Sequence, residues 1–282
     1  MHIKCWGSRG GLPACGKRFI KYGGDTTCLE VRGDSGEVIV IDAGSGIREL
    51  GARLAEEGVS HITLLFTHAH WDHIYGFPFF APLFSEDVTI DIYGAVGAEK
   101  TYEKILSRAM ADPFFPVQLD APDFKAALRF KELKPEILAL GGVDVEFIMQ
   151  SHPKDGSLGY SFTEKGGKFV FMTDNELGFT HKGASSRDQF VRFVQGAELL
   201  VHDAEYTPSE YALFRTRGHS SYEQAIDLAV DGRVKRLGLF HIKAGRTDHE
   251  VDRIEAEAVS YAREKGMAGD CFVVPCGAFF KL

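Results

Sequence analysis

The densest chemistry in this 282-residue chain lies in one short run, Thr67-His68-Ala69-His70-Trp71-Asp72-His73-Ile74. Its imidazoles and carboxylate fall in H-x-H-x-D-H order. Residues i and i+2 of an extended chain point the same way, so His68 and His70 face one side together. If the chain turns after them, Asp72 and His73 face a second position close by. Imidazole with carboxylate suits zinc and is acceptable to manganese or iron. The bland alternative is a solvated polar loop, and a lone histidine would deserve it. Four donor side chains at these offsets, directly after an apolar run, favour a metal-binding turn.

Such a turn needs a strand before it and a stop after it. Ile62-Thr63-Leu64-Leu65-Phe66 has the length and composition of a buried strand, and Gly76 follows. Upstream, 37–42 is an apolar strand ending in an acid. Ile47, Leu50 and Leu54 recur at helical spacing, which predicts a helix over 46–58. Val88–Tyr93 alternates like a half-exposed strand. Further strands are expected at 143–149, 159–164, 168–173, 198–202 and 236–241, with helices at 186–195, 221–230 and 248–264. In the last helix Val251, Ile254, Ala258 and Ala262 share a face. Interleaved strands and helices imply an α/β fold with helix-covered sheets. Residues 98–135 begin helically at Tyr102, Ile105 and Leu106. Pro113, Pro116 and Pro122 then break the pattern, so a flap or insertion is expected there rather than core.

Composition bounds the rest. Apolar residues make up 44% and charged residues 26%, ordinary globular usage that excludes a disordered chain. The 31 glycines exceed the roughly 20 of an average chain this long and suit many tight turns. No apolar run reaches the ~18 residues of a membrane span. Met1–Arg9 lacks the apolar core and cleavage site of a secretory signal. Lys plus Arg is 32 against 40 Asp plus Glu, a net charge of −8. That charge repels a polyanion at long range and disfavours extended nucleic-acid binding. Cys5, Cys15, Cys28, Cys271 and Cys276 form no C-x-x-C pair. Each is expected to be a small buried apolar residue in a reducing cytoplasm.

The H-x-H-x-D-H segment resembles the signature of the metallo-β-lactamase fold superfamily. The resemblance implies a four-layer αββα sandwich, one domain over 1–282, with metals at one edge between two facing sheets. It also implies later ligands, and matching positions exist: His152 in Ser151-His152-Pro153, Asp174 in Thr173-Asp174-Asn175, and His241 after Leu237-Gly238-Leu239-Phe240. Carried over residue by residue, His68, His70 and His152 would hold one divalent ion. Asp72, His73 and His241 would hold a second. Asp174 would bridge them, with a water or hydroxide completing the bridge. Gly7-Ser8-Arg9-Gly10 and Tyr22–Cys28 look like the start of a phosphodiesterase-like subgroup, although Asp25 stands where that subgroup usually has Asn. Trp71, Phe77–Phe80 and Gly159-Tyr160 fit it too. His202–Thr207 followed by Gly218-His219-Ser220-Ser221 is similar to elements of ribonuclease Z and phosphoribosyl cyclic phosphate diesterases. There a His acts near the scissile phosphate and an acid orients it; the matching positions are His219 and Asp203. Taken alone, the 218–220 stretch reads as a helix cap.

The function this implies is a dinuclear metal-dependent hydrolase cleaving a small phosphodiester, of cyclic nucleotide or cyclic phosphate type. Zinc is the first expectation, with manganese or iron acceptable. Asp72 would accept a hydrogen bond from the bridging hydroxide, and His219, paired with Asp203, would supply a proton. Phe79, Phe80, Phe114 and Phe115 are candidate rim residues. Arg9 is either a phosphate contact or a surface residue. The enzyme is expected to work away from membranes, and a homodimer fits the resemblance. Thioester or lactam hydrolysis shares the metal motif. A di-iron redox or gas-binding module would usually carry Glu at position 70. RNA processing would want a basic gripping arm, which the sequence does not display. A non-catalytic metal sensor would not need an acid–base pair.

Overall fold

The apolar runs become strands stacked in two sheets. The computed structural model describes residues 1–94, 101–133 and 137–282. In chain order they form β1 (His2–Gly7), β2 (Cys28–Arg32), β3 (Val38–Ile41), β4 (His61–Phe66), β5 (Thr89–Gly94) and β6 (Ala127–Glu132). There follow β7 (Leu138–Leu140), β8 (Val143–Gln150), β9 (Ser157–Glu164), β10 (Gly167–Met172), β11 (Leu199–Asp203), β12 (Arg236–Phe240), β13 (Asp270–Val273) and β14 (Phe279–Lys281). The helices are α1 (Ile47–Glu56), α2 (Trp71–Ile74), α3 (Tyr102–Ala109), α4 (Arg187–Val194), α5 (Pro208–Phe214), α6 (Tyr222–Asp231) and α7 (Asp248–Glu264).

One sheet runs β14-β1-β2-β3-β4-β5-β6 and the other β13-β12-β11-β10-β9-β8-β7. They share a pattern. β14 to β3 are antiparallel and β3 to β6 parallel. β7 to β10 are antiparallel and β10 to β13 parallel. Ile3, Val31, Ile39 and Leu65 of the first sheet pack against Phe162, Phe169, Phe171 and Val201 of the second. The outer face of the first sheet buries Ile47, Leu50 and Leu54 of α1 and Tyr102 and Leu106 of α3. The outer face of the second buries Phe190 and Val194 of α4, Ala225 and Ile226 of α6, and Val251, Ile254 and Ala258 of α7. The architecture is therefore the αββα sandwich. Among the described residues four helices start at a capping box, in which a Ser or Thr and the third residue on exchange hydrogen bonds; Ser186, Thr207, Ser221 and Thr247 are the caps.

Three expectations need correction. The 98–135 stretch is not a flap throughout, and its residues 98–100 and 134–135 lie outside the described residues. Tyr102, Leu106 and Met110 are core, and β6 extends the first sheet beside β5. Residues 111–126 carry no helix or strand, yet Phe115, Leu119 and Phe124 pack on the core. The prolines break secondary structure there without lifting the chain off the body. Arg9 is fully buried, so it is neither a surface residue nor a phosphate contact. Its Nε donates to the Gly23 carbonyl (2.6 Å) and its Nη1 to the Arg246 carbonyl (2.9 Å). Cys15 is exposed and Cys276 half-buried, unlike the other cysteines.

The turn after the metal motif is packed backbone to backbone. Gly76 N donates to the Ala43 carbonyl (2.9 Å), and a Cβ at Gly76 would overlap the Gly44 carbonyl oxygen. Gly76→Ala should lower unfolding stability by about 1–3 kcal/mol in denaturant titration, as overpacking does. An unchanged midpoint would show that this turn has slack.

Candidate metal centre

Parallel strands of both sheets end at the same edge, where α/β proteins commonly bind ligands. Asp42 follows β3, His68 and His70 follow β4, Asp174 follows β10, Asp203 ends β11 and His241 follows β12. His152 follows β8, which runs in the direction of β10. Three of these residues leave the strand in the left-handed region: Asp42 (φ 61°), Asp174 (φ 54°) and His241 (φ 61°). That conformation is uncommon outside glycine, and such strain clusters at functional sites. Here it ends the pleat and swings each side chain inward. After β4 the chain stays extended through His70 (ψ 154°), then closes one helical turn as α2. His68 and His70 are thereby separated from Asp72 and His73.

Three overlapping donor sets result among the described residues: His68, His70, His152 and Asp174; Asp72, His73 and His241; and Asp174, Asp203, His219 and His241. Asp174 reaches the histidines of the first two. Its Oδ2 lies 3.5 Å from His68 Nε2 and 3.9 Å from His152 Nε2. Its Oδ1 lies 3.2 Å from His73 Nε2 and 3.3 Å from His241 Nε2. His70 Nδ1 sits 3.3 Å from His152 Nε2. Asp72 Oδ2 is 3.4 Å from His73 Nε2 and 3.3 Å from His241 Nε2. A tetrahedron with ~2.0–2.1 Å metal–ligand bonds has edges of about 3.3–3.4 Å. The Nε2 atoms of His68 and His73 are buried without a hydrogen-bond partner. The residues present therefore fit divalent metal.

The opposite ring nitrogens are held. His73 Nδ1 bonds Asp42 Oδ2 (2.8 Å), which also accepts from Thr67 Oγ1 (2.8 Å). His241 Nδ1 bonds Glu205 (3.0 Å), His152 Nδ1 the Gly218 carbonyl (3.1 Å) and His68 Nδ1 the Thr67 hydroxyl (3.1 Å). Such partners fix ring orientation and tautomer. Gly11 N donates to Asp72 Oδ2 (2.7 Å), and a Cβ at Gly10 would strike the His241 ring. Burial pushes His68 well below the usual histidine range and His152 down to about 4, leaving them neutral, the form a metal takes. Burial would lower His73 and His241 too, but the facing carboxylates of Asp72 and Asp174 hold both well above that range. A proton and a metal compete for those same nitrogens.

His219 completes the cluster. Its Nδ1 pairs with Asp203 Oδ2 at 2.7 Å, and its ring stacks on His241 with centroids 4.7 Å apart. Burial works against its charge, but Asp203 and Glu205 outweigh it and raise the pKa to about 9. Asp203 also accepts from the Asp174 and Ser220 backbones (3.0 and 3.2 Å). Every expected site residue thus lies at one edge. The helix cap nearby is Ser221 rather than the 218–220 stretch. Sequence reasoning missed Asp42, Glu205 and the Gly218 carbonyl. Asp42 had one signal, an acid ending an apolar strand. Of the rim candidates, Phe80 is core, while Phe79 and Phe114 are exposed. Asp25 accepts from Ser45 Oγ (2.7 Å), away from the metal-facing atoms.

The two-sheet sandwich and this edge define a metal-dependent hydrolase of the metallo-β-lactamase fold. Residues 37–242 match the β-lactamase superfamily domain, and the chain belongs to that family. It is 27% identical to ribonuclease Z of Lactococcus lactis subsp. cremoris (strain SK11), over 92% of this chain and 94% of that protein. Its fold is similar to the metallo-β-lactamase fold protein YhfI from Bacillus subtilis, with TM-score 0.71, 17% identity and coverage of 99% and 98%. A diphosphatase from the PhnP family gives 0.69, 18% identity and coverage of 100% and 97%. Zn(2+)-bound PqqB from Methylobacterium extorquens gives 0.68, 18% identity and full coverage of both chains at 100%. The ribonuclease relative runs against the expectation, drawn from net charge, that nucleic acid is disfavoured. Among the described residues no helix is long and apolar enough to cross a membrane.

Asp42→Asn should weaken divalent-metal binding about 10–100-fold, as loss of a ligand's supporting carboxylate typically does. Competition titration with a chromophoric chelator measures it. Unchanged affinity would show that His73 needs no such support.

Proposed function

We propose that this hydrolase cleaves a small phosphodiester at a dinuclear centre, with zinc as its metal. His68, His70 and His152 would hold one ion and Asp72, His73 and His241 the second, with Asp174 available to both. The observation that carries this is the division of Asp174: Oδ2 turned to His68 and His152, Oδ1 to His73 and His241. Zinc is supported by the chemistry of the donor set and by the zinc-bound neighbour. Two bound divalent cations supply a Lewis-acid pair that activates water near neutral pH and offsets phosphoryl charge.

The chain's own residues supply the rest. Asp72, whose Oδ2 accepts from Gly11 N, is kept ionised against burial by the facing His73 and His241 imidazoles, and its carboxylate would accept a hydrogen bond from the nucleophilic water. His219 keeps Nδ1 on Asp203, and its Nε2, 3.5 Å from Glu205 Oε2, carries the proton for the departing oxygen. A positioned acid of this kind is typically worth about 10²–10⁴-fold. This proton donor favours an ester with a poor leaving group over a thioester, whose thiolate departs without a proton. A cavity of about 360 Å³ beside the motif is lined by Trp71, Ile74, Ile105, Arg108 and Phe114. Exposed Trp71 and Phe114 there suit stacking on a nucleobase. RNA is the second reading, favoured by the ribonuclease Z relative; the net charge of −8 favours the small substrate.

Cyclic nucleotides, bis-p-nitrophenyl phosphate, an RNA precursor, S-lactoylglutathione and a β-lactam form the discriminating panel. Turnover of the first two alone is expected; RNA cleavage with no small-ester turnover would replace this reading with the second. His219→Ala should cost about 10²–10⁴-fold in kcat with metal content kept. Asp72→Ala should cost more and lose metal by elemental analysis. Full activity in both variants would refute the mechanism. Phe114→Ala should raise KM for a cyclic nucleotide about fivefold or more, since base stacking is worth roughly 1–3 kcal/mol. An unchanged KM would remove the cavity from the substrate site.

A further inference from the structure

Glu176 is fully buried, two residues beyond Asp174, and among the described residues its ion-pair partner is His181 rather than a Lys or Arg. Its carboxylate gathers four donors from three segments. Oε1 accepts from Tyr211 Oη (3.0 Å) and Thr216 N (2.7 Å). Oε2 accepts from Gly218 N (2.8 Å) and bonds His181 Nε2 (3.0 Å). Its own backbone N donates to the Ser151 carbonyl (2.7 Å), next to His152.

Two of those donors belong to a strained loop. After α5 the chain turns through Thr216 (φ 73°) and Gly218 (φ 96°) to reach His219. A β-branched residue at positive φ is a genuine outlier and persists only where its surroundings over-determine it. The Glu176 carboxylate does so, accepting the backbone N–H of both positive-φ residues. The loop has two outputs. The Gly218 carbonyl holds His152 Nδ1 (3.1 Å), and a Cβ at Gly218 would strike that ring. The next residue is His219.

We propose that Glu176 is a positioning residue: a buried tether that fixes the 215–218 loop, so that His219 stands over the reacting centre and His152 keeps its aim. This rests on the proposed phosphodiester chemistry, in which His219 protonates the leaving oxygen. Glutamine at this position would present two donors and one acceptor where four donors meet, and would release the loop.

The test compares a cyclic nucleotide, whose alkoxide must be protonated, with bis-p-nitrophenyl phosphate, whose phenolate departs without a proton. Glu176→Gln should lower kcat on the cyclic nucleotide about 10²-fold, the cost of roughly an ångström of misplacement. KM should stay near wild type, metal affinity should fall because His152 loses its brace, and at saturating metal the loss on the nitrophenyl ester should be at least about tenfold smaller. Glu176→Asp, which keeps the carboxylate, should recover part of kcat. Hydrogen–deuterium exchange should show the Thr216 and Gly218 amides protected in the wild type and faster in Glu176→Gln. Equal losses on both esters, no loss, or unchanged exchange would overturn the proposal. If Glu176→Gln does not fold, Tyr211→Phe removes a single donor. A severalfold kcat loss confined to the cyclic nucleotide then supports the tether, and none, or an equal loss on both, overturns it. Should the wild type cleave neither ester, the functional reading fails, while the exchange comparison still decides the tether.

Discussion

Carboxylates taken out of water must be paired. Asp72 and Asp174 lie buried where the imidazoles of His68, His73, His152 and His241 converge, with no Lys or Arg within salt-bridge distance among the described residues. Leaving such charges unpaired in a low-dielectric interior is prohibitive. Only protons or cations can occupy the space between these donors, and the donor spacing is that of metal coordination. The rest of the edge follows from this. Asp42, Glu205, Thr67 and the Gly218 carbonyl turn each ring, Gly10 and Gly11 admit the N-terminal loop beside Asp72 and His241, and Asp203 braces the Asp174 backbone.

The backbone shares in the arrangement. β3, β10 and β12 occupy inner positions in the two sheets, and each is followed within two residues by a non-glycine residue at positive φ. A strand that simply continued would carry its next side chain along the sheet. The left-handed step turns it across the edge instead. Aspartate tolerates that step better than most residues, which suits Asp42 and Asp174; His241 has Gly10 against its ring, leaving the room it needs. The two sheets meet this demand twice with one pattern of parallel and antiparallel pairs.

Much of this was legible in the sequence, for physical reasons. Buried parallel strands are apolar runs, so β4, β10, β11 and β12 stand out. The histidine–aspartate offsets alone imply a metal-binding turn. Short edge strands do not stand out: β7 and β14 span three residues each, and β6 interleaves its apolar side chains with charges at Arg129, Lys131 and Glu132. α5 opens on a proline and buries none of its residues, so it carries no apolar stripe. Glu205 and Glu176 look like ordinary acids, because their partners are ring nitrogens and loop amides far along the chain. Arg9 misleads for the same reason: its partners are carbonyls at Gly23 and Arg246, and no motif announces them.

Anomalous diffraction at the zinc edge, on crystals grown with zinc, tests the central claim most directly. The account predicts two peaks flanking the Asp174 carboxylate, one among His68, His70 and His152, the other among Asp72, His73 and His241. A single peak, or none at this edge, would contradict it.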